Sequence, residues 1–311
     1  MEKKCVYLSE TQGIHALRWR NALSDMGWEV SLAINDSHSP VVAGPLTPEL
    51  IDSIKNSPNR AIGLSWGWDL HAAQGVQPKD WLSNLDGLVV DSEPTRNIAI
   101  KLGMNPRSIT YIPWGIELDE FEPGARNRPS KLSILSLRAH EPLYRIETIL
   151  EAASLLQRDN IDCSLTVGNE GSLTAQLERK AIELELRDCV FIGRTPEKNL
   201  SELFREHSVY VSAAETDGTS VTLLQALAME IPVVVSNSLG NIAWLSQGRE
   251  LSGRIFEIGD SQDLALKVTE VEKAPDQTQK MARAGRDIIK DQANWNKNIY
   301  RLDDLLVSQL K

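Results

Sequence analysis

The sequence predicts an α/β protein built of two Rossmann-like domains facing a cleft. Its 311 residues exceed what one hydrophobic core usually supports. The chain opens with a strand, a glycine-containing turn, a helix and a second strand, the order that begins a Rossmann-like half. A second strand-to-helix series starts near residue 132 and reaches DGTSVTLLQALAMEIPVVV at 217–235, where a polar loop, an apolar helix and a strand follow in immediate succession.

In the first half, residues 5–8 read as a strand, Gly13, Ile14 and His15 as the turn after it, 16–26 as a helix ended by Gly27, and 29–34 as the second strand. His15 is equally a substrate contact or a surface residue at a helix start. Residues 40–44 read as a short strand and 47–55 as a helix capped by Thr47, with Glu49 in its first turn. The strand 61–64 runs into Ser65-Trp66-Gly67-Trp68-Asp69, at the edge where α/β proteins bind ligands. Two indole faces and a carboxylate suit a hydroxyl-bearing ligand, while the alternative is that Trp66 and Trp68 fill the gap between helix and sheet. Strand 85–91, a helix capped by Ser92 and ended by Gly103, and strand 109–112 complete this half. Pro113 and Gly115 then form a tight turn, and 124–131 (GARNRPSK) has the composition of a linker.

The second half restarts with strand 132–137 and Arg138, then a helix over 147–157. A guanidinium just past a strand end donates two parallel hydrogen bonds and stays charged, so it suits a diphosphate; pairing with Glu141 or Asp217 is the structural alternative. Strand 164–167 leads to Gly168, a helix follows over 173–186, and strand 190–192 leads to Gly193 and Arg194. These glycines let the backbone approach a ligand closely. Helix 200–206 and strand 209–212 precede the loop Asp217-Gly218-Thr219-Ser220. Ser220 caps the next helix, so the amides near Val221 and Thr222 lie at its positive end and form an anion site. A terminal helix over 292–310, with Ile299, Leu302, Leu305, Leu306 and Leu310 on one face, wants burial.

Composition narrows the function. A net charge of −10 argues against a general nucleic-acid binder, which needs a basic footprint. It also weighs against tight adsorption to anionic lipid, although a local basic patch leaves weak membrane association and a lipid-linked acceptor open. The chain has no run of eighteen apolar residues, and MEKKCVYLSE does not begin a signal peptide, so the expected location is cytoplasmic. Cys5, Cys163 and Cys189 have no metal-ligand spacing and read as buried free thiols.

The 217–235 segment resembles the nucleotide-sugar signature of retaining glycosyltransferases of the GT-B fold, family 4 (glycosyl transferases group 1). That family carries two acidic residues separated by seven, an Ala-rich helix and a Pro-Val-Val strand; the acidic positions here hold Asp217 and Gln225. A second match is the run from strand 109–112 through Pro113-Trp114-Gly115-Ile116-Glu117 to Phe121-Glu122-Pro123. The resemblance covers nearly the whole chain. It implies an acceptor domain at 1–125, shortened by about one βα unit, a nucleotide-sugar domain at 126–291, and a terminal helix at 292–311 packing back on the first domain.

By resemblance, Asp69, Arg138 and Asp217 are the catalytic candidates. Gly168, Gly193, Arg194, Asp217, Gly218, Thr219, Ser220, Val221, Thr222 and Gln225 would bind the donor, and Gly13, His15, Trp66, Trp68 and Asp69 the acceptor. The family's phosphate-binding Lys has no clear counterpart, with Tyr144 or Arg145 the possible substitutes. A Glu usual in the helix start at 240–245 is Ala243 here. The implied reaction moves a sugar from a UDP- or GDP-type nucleotide sugar to an acceptor hydroxyl, with retention and without metal or cofactor. Loss of carboxylates at Gln225 and Ala243 also fits a nucleotide-sugar sensor or partner subunit. A sugar-nucleotide epimerase of the same architecture fits less well, because the additional acids and histidines its chemistry needs are not found near the site in this sequence.

Overall fold

The computed structural model describes residues 3–11, 14–124 and 131–309. The chain forms two compact units, Met1–Trp114 with Trp295–Lys311, and Gly115–Asn294. The sequence placed the divisions at 125/126, outside the described residues, and at 291/292; the structure divides the chain at 114/115 and 294/295. Ring packing fixes this point. Trp114 lies 5.3 Å from Trp295 and 5.7 Å from Trp19 in the first unit, whereas Ile116 donates its N–H to Ala293 in the second, at 2.9 Å. The 124–131 linker falls almost wholly outside the described residues.

The first unit contains β1 (Lys4–Leu8), α1 (Ile14–Asp25), β2 (Glu29–Ser31), β3 (Val41–Ala43), α2 (Pro48–Ile54), β4 (Ala61–Leu64), α3 (Trp68–Ala73), β5 (Gly87–Val90), α4 (Glu93–Lys101) and β6 (Ile109–Tyr111). The strands make one parallel sheet in the order β2-β1-β3-β4-β5-β6. Strands β3, β4 and β5 are buried at every residue, as expected of parallel strands covered on both faces. β2 stops at Ser31 rather than residue 34. The Ser31 hydroxyl accepts from the Ala33 N–H at 3.2 Å and donates to its carbonyl at 2.8 Å, which replaces the ladder with a local turn. No helix links β2 to β3, where residues 32–40 are bends and irregular backbone.

The second unit contains β7 (Leu132–Ser136), α5 (Ile146–Arg158), β8 (Cys163–Gly168), α6 (Thr174–Glu183), β9 (Cys189–Gly193), α7 (Glu197–Arg205), β10 (Val209–Ser212), α8 (Val221–Ala228), β11 (Val233–Ser236), α9 (Leu239–Leu245), β12 (Arg254–Phe256), α10 (Ser261–Lys273) and α11 (Pro275–Gln292). Its parallel sheet has the order β12-β11-β10-β7-β8-β9. The order reverses between β7 and β10, and the gap between their carboxyl ends is where such sheets bind ligands. The edge strand β9 alternates, turning Cys189 and Phe191 toward the core and leaving Val190 and Ile192 exposed.

The terminal segment is not one helix. It breaks into α12 (Trp295–Asn298) and α13 (Tyr300–Gln309), preceded by α11. Trp295 is locked among rings, and the Asn298 side chain donates to the Pro113 carbonyl at 2.9 Å. Ile299, Leu302 and Leu306 are buried and Leu305 is half-buried, while Leu310 lies outside the described residues. Lys3 and the Trp28 indole both hydrogen-bond Asp303 of α13, at 2.8 and 2.7 Å. No described helix is long and apolar enough to cross a membrane. The three cysteines are free, and burial pushes the Cys5 thiol up to about 12 and the Cys189 thiol up to about 11.

Candidate functional site

The carboxyl ends of β7 and β10 bring Arg138 and the 217–220 loop together. Ser220 caps α8, its hydroxyl accepting from the Leu223 N–H at 3.4 Å. In any α-helix the first amides, here those of Val221 and Thr222, have no partner within the helix and aim its positive end outward. Arg138 lies against this helix start. One terminal nitrogen, Nη1, donates to Ser220 Oγ at 2.6 Å and reaches Thr222 Oγ1 at 3.5 Å. The other, Nη2, meets Asp217 Oδ2 at 2.5 Å, and the guanidinium carbon lies 4.3 Å from the Tyr144 ring centre. The structural alternative for Arg138 is therefore realised in part: in this state it pairs with Asp217.

The pair is only 11% and 16% exposed at its side chains. Burial works against the arginine's charge, but Asp217 and the Tyr144 and Tyr210 hydroxyls outweigh it and hold its pKa above the ordinary value. Its Nε is buried and has no hydrogen-bond partner among the described residues. Tyr144 thus joins the site through its ring, whereas Arg145, at φ 45° at the start of α5, is ion-paired with Glu215. Behind the cap, Thr222 Oγ1 is 2.6 Å from the Tyr210 hydroxyl, on a residue with no exposed surface.

Gln225 lies one turn into α8, on the face of Val221 and Thr222. It is 3% exposed, and its Oε1 is buried with no hydrogen-bond partner among the described residues. The loop itself is braced by α9. The Trp244 indole donates to Thr219 Oγ1 at 3.2 Å, and a β-carbon on Gly240 would stand 2.1 Å from the Asp217 carbonyl oxygen and 2.5 Å from that of Gly218. Only glycine fits there. Sequence reasoning missed this brace, as it missed Tyr210, although a tyrosine between the valines of the strand VYVS was a signal of a buried polar contact.

Gly168 and Gly193 pair across β8 and β9, and Gly193 takes the left-handed φ of 64°. Asn169 beside them donates its N–H to the Gly193 carbonyl at 2.6 Å. Arg194 is largely exposed, 3.8 Å from Glu170, and among the described residues it makes no hydrogen bond to the Arg138 network. An exposed pair of that kind contributes little.

In the first unit, His15 stands edge-on to Trp66 at 5.5 Å and to Trp114 at 4.9 Å, so the structure does bring His15 and Trp66 together. Trp68 is 48% exposed. Gly13 lies outside the described residues. Asp69 requires correction. It was expected to accept hydrogen bonds from a ligand, but it is 2% exposed and its carboxylate accepts from Leu46 N at 2.8 Å, Ser65 Oγ at 2.8 Å, Leu70 N at 2.8 Å and Trp66 N at 3.2 Å. Burial pushes its pKa up against the pull of these donors. All its acceptor capacity is spent inside the protein, where it ties the loop before α2 to the start of α3.

Residues 119–288 match the family described as glycosyl transferases group 1. The amylovoran biosynthesis glycosyltransferase AmsK of Erwinia amylovora is 25% identical over 215 residues, covering 67% of this chain and 52% of the relative. D-inositol 3-phosphate glycosyltransferase 2 of Catenulispora acidiphila is 23% identical over 229 residues, covering 68% and 52%. The chain thus spans about half the length of these curated relatives. Among solved structures, Anabaena HepE in complex with UDP and glucose superposes with a TM-score of 0.77 at 11% identity, covering 99% of this chain and 100% of that one. A glycosyltransferase from Rickettsia africae gives 0.80 at 12% identity, covering 100% and 99%. At these identities the structures establish the GT-B fold.

Proposed function

The chain belongs to the glycosyl transferases group 1 family, and from that premise we propose that it moves a sugar from a nucleoside diphosphate sugar to an acceptor hydroxyl, with retention at the anomeric carbon as in family 4. One observation carries the donor assignment: two buried polar atoms without partners, Arg138 Nε and Gln225 Oε1, belong to residues flanking one helix start. The first is a donor suited to phosphate and the second an acceptor suited to a ribose hydroxyl. Buried groups of this kind normally have partners, and a bound nucleotide supplies both.

In this reading the bond from the anomeric carbon to the diphosphate breaks, the acceptor oxygen bonds to that carbon on the same face, and the acceptor proton passes to the departing diphosphate oxygen. The products are a nucleoside diphosphate and a glycoside. Arg138 and the amides at Val221 and Thr222 stabilise the charge that builds on the leaving group, the electrostatic contribution that usually dominates such catalysis. Asp217 turns from Arg138 to the sugar hydroxyls. Gly168, Gly193, Arg194, Gly218 and Thr219 complete the donor side, while His15, Trp66 and Trp68 supply rings and a hydrogen-bonding group for the acceptor. Neither a metal nor a cofactor has a part in this scheme.

A thermal-shift screen against UDP, GDP, ADP and their sugars tests the reading, because a ligand at 100 times its Kd adds about 2.7 kcal/mol to stability. Product analysis by anomeric proton NMR tests retention. A second reading, a nucleotide-sugar-binding or partner subunit with weak turnover, is favoured by the uncharged residues Gln225 and Ala243 and by the neutralisation of Asp217 by Arg138. Tight donor binding without transfer to any acceptor would select it.

A further inference from the structure

Resting on the donor-site reading above, we propose that Tyr210 is a positioning residue that sets which edge of the Arg138 guanidinium is presented to the diphosphate. A guanidinium offers two different edges. Nε and Nη2 point their hydrogens side by side and form the fork that takes two oxygens of one anion, whereas Nη1 lies at the far corner. In this protein the far corner is the anchored one. Nη1 bonds Ser220 Oγ at 2.6 Å and touches Thr222 Oγ1 at 3.5 Å. The fork edge is the available one, since Nε has no partner and Nη2 is held by Asp217 alone among the described residues.

What fixes the anchor is a line of hydroxyls. Ser220 Oγ and Thr222 Oγ1 are 3.3 Å apart, and Thr222 Oγ1 is 2.6 Å from the Tyr210 hydroxyl. Ser220 already accepts from Arg138 and from the Leu223 N–H, so its own proton and that of Thr222 must be directed along this line. Tyr210 closes the far end from the interior of β10, where it has no exposed surface and its ring meets Phe204 at 6.0 Å. Among the described residues its hydroxyl makes no hydrogen bond to Arg138 itself. Its hydrogen-bonded path to the arginine runs through Thr222 and Ser220. A buried, fully packed end point gives the line a single arrangement, and the arginine inherits that arrangement. The Tyr144 ring, its centre 4.3 Å from the guanidinium carbon, packs beside the group whose orientation the hydroxyls restrain.

Tyr210→Phe tests this, because it removes one oxygen and keeps the ring packing. The probes are UDP, GDP and ADP, titrated calorimetrically, and the tightest one is used throughout. Tyr210→Phe should weaken that nucleotide about three- to tenfold, the size of one neutral hydrogen bond. Thr222→Val should reproduce the loss, and Thr222→Ser, which restores the hydroxyl, should recover at least half of it. The decisive arm is a double-mutant cycle. In an Arg138→Lys background there is no planar fork to orient, so adding Tyr210→Phe should change affinity less than about twofold. An equal loss in both backgrounds would assign Tyr210 to general packing and overturn the proposal, as would a Tyr210→Phe protein that binds like its parent. If the parent binds none of UDP, GDP and ADP, the donor-site reading falls and this inference with it. If the parent binds and Arg138→Lys weakens it while Tyr210→Phe does not, the reading stands and the inference alone fails.

Discussion

Removing Arg138 should separate its two roles. Arg138→Ala deletes the bond to Ser220 at 2.6 Å and the ion pair to Asp217 at 2.5 Å, and leaves the Asp217 carboxylate, 16% exposed, without a counter-charge. Breaking a buried pair from one side costs about 3–5 kcal/mol, and partial solvent access to Asp217 brings this to about 2–3 kcal/mol. For a unit of this size that is a fall in Tm of about 4–12 °C. Adding Asp217→Asn removes the orphaned charge and should recover more than half of the loss. Nucleotide affinity should behave differently. A charge-assisted contact contributes about 1.5–3 kcal/mol, and the ligand must first displace Asp217, so the lower end applies: about a tenfold weaker Kd for the preferred nucleoside diphosphate. The double variant should not recover it, and Asp217→Asn alone should bind the nucleotide at least as tightly as the parent. Calorimetric titration and thermal unfolding of the four proteins give both quantities. If Arg138→Ala lowers Tm but leaves Kd within twofold, Arg138 is a structural ion pair and the donor assignment is wrong.

Four further outcomes follow from the same geometry. Gln225→Glu should tighten nucleotide binding by about 1 kcal/mol, near fivefold, since a charged acceptor bonds a ribose hydroxyl more strongly than a neutral one; paired Kd measurements at one ionic strength decide, and weaker binding would mean the amide's NH2 is what the ligand uses. Asp69→Asn should lower stability by about 2 kcal/mol, because an NH2 would be turned toward buried N–H donors, and should leave nucleotide Kd unchanged; an intact Tm with lost transfer would restore Asp69 to the acceptor side. Gly240→Ala should push the 217–218 carbonyls away and weaken the nucleotide more than tenfold, read by the same titration; unchanged binding would show that the loop is not held by α9. His207 is buried between the Leu203 carbonyl at 2.7 Å and Thr166 Oγ1 at 2.8 Å, and burial lowers its pKa. The unfolded chain therefore takes up the proton first, so stability is level above about pH 6.5 and falls below it by up to about 1.4 kcal/mol per pH unit; urea unfolding from pH 8 to 5 should show this slope, and His207→Gln should reduce it.

The 217–220 loop and the helix it opens were legible in the sequence because their causes are local. A serine cap, a glycine two residues before it and an apolar helix are decided within a few residues, and Ser220, Val221 and Thr222 stand where their order put them. The central strands were legible for a similar reason: the run VVV at 233–235 is apolar because both faces of a parallel strand are covered. Boundaries were less so. At Ser31 a side chain competed with the ladder, and the region between α9 and α12 holds β12, α10 and α11, which the sequence reading left unassigned. Partnership was decided only by the fold. Arg138 and Asp217 lie 79 residues apart, and whether they face a ligand or each other depends on β7 and β10 becoming neighbours. Asp69 reads as a free carboxylate in SWGWD until Leu46 N, 23 residues away, is brought to its oxygen. Tyr210 reads as one more core ring until its hydroxyl meets Thr222. Pattern and capping are near-neighbour properties that a sequence displays directly, whereas the state of a buried polar group is set by the partner that long-range packing delivers to it.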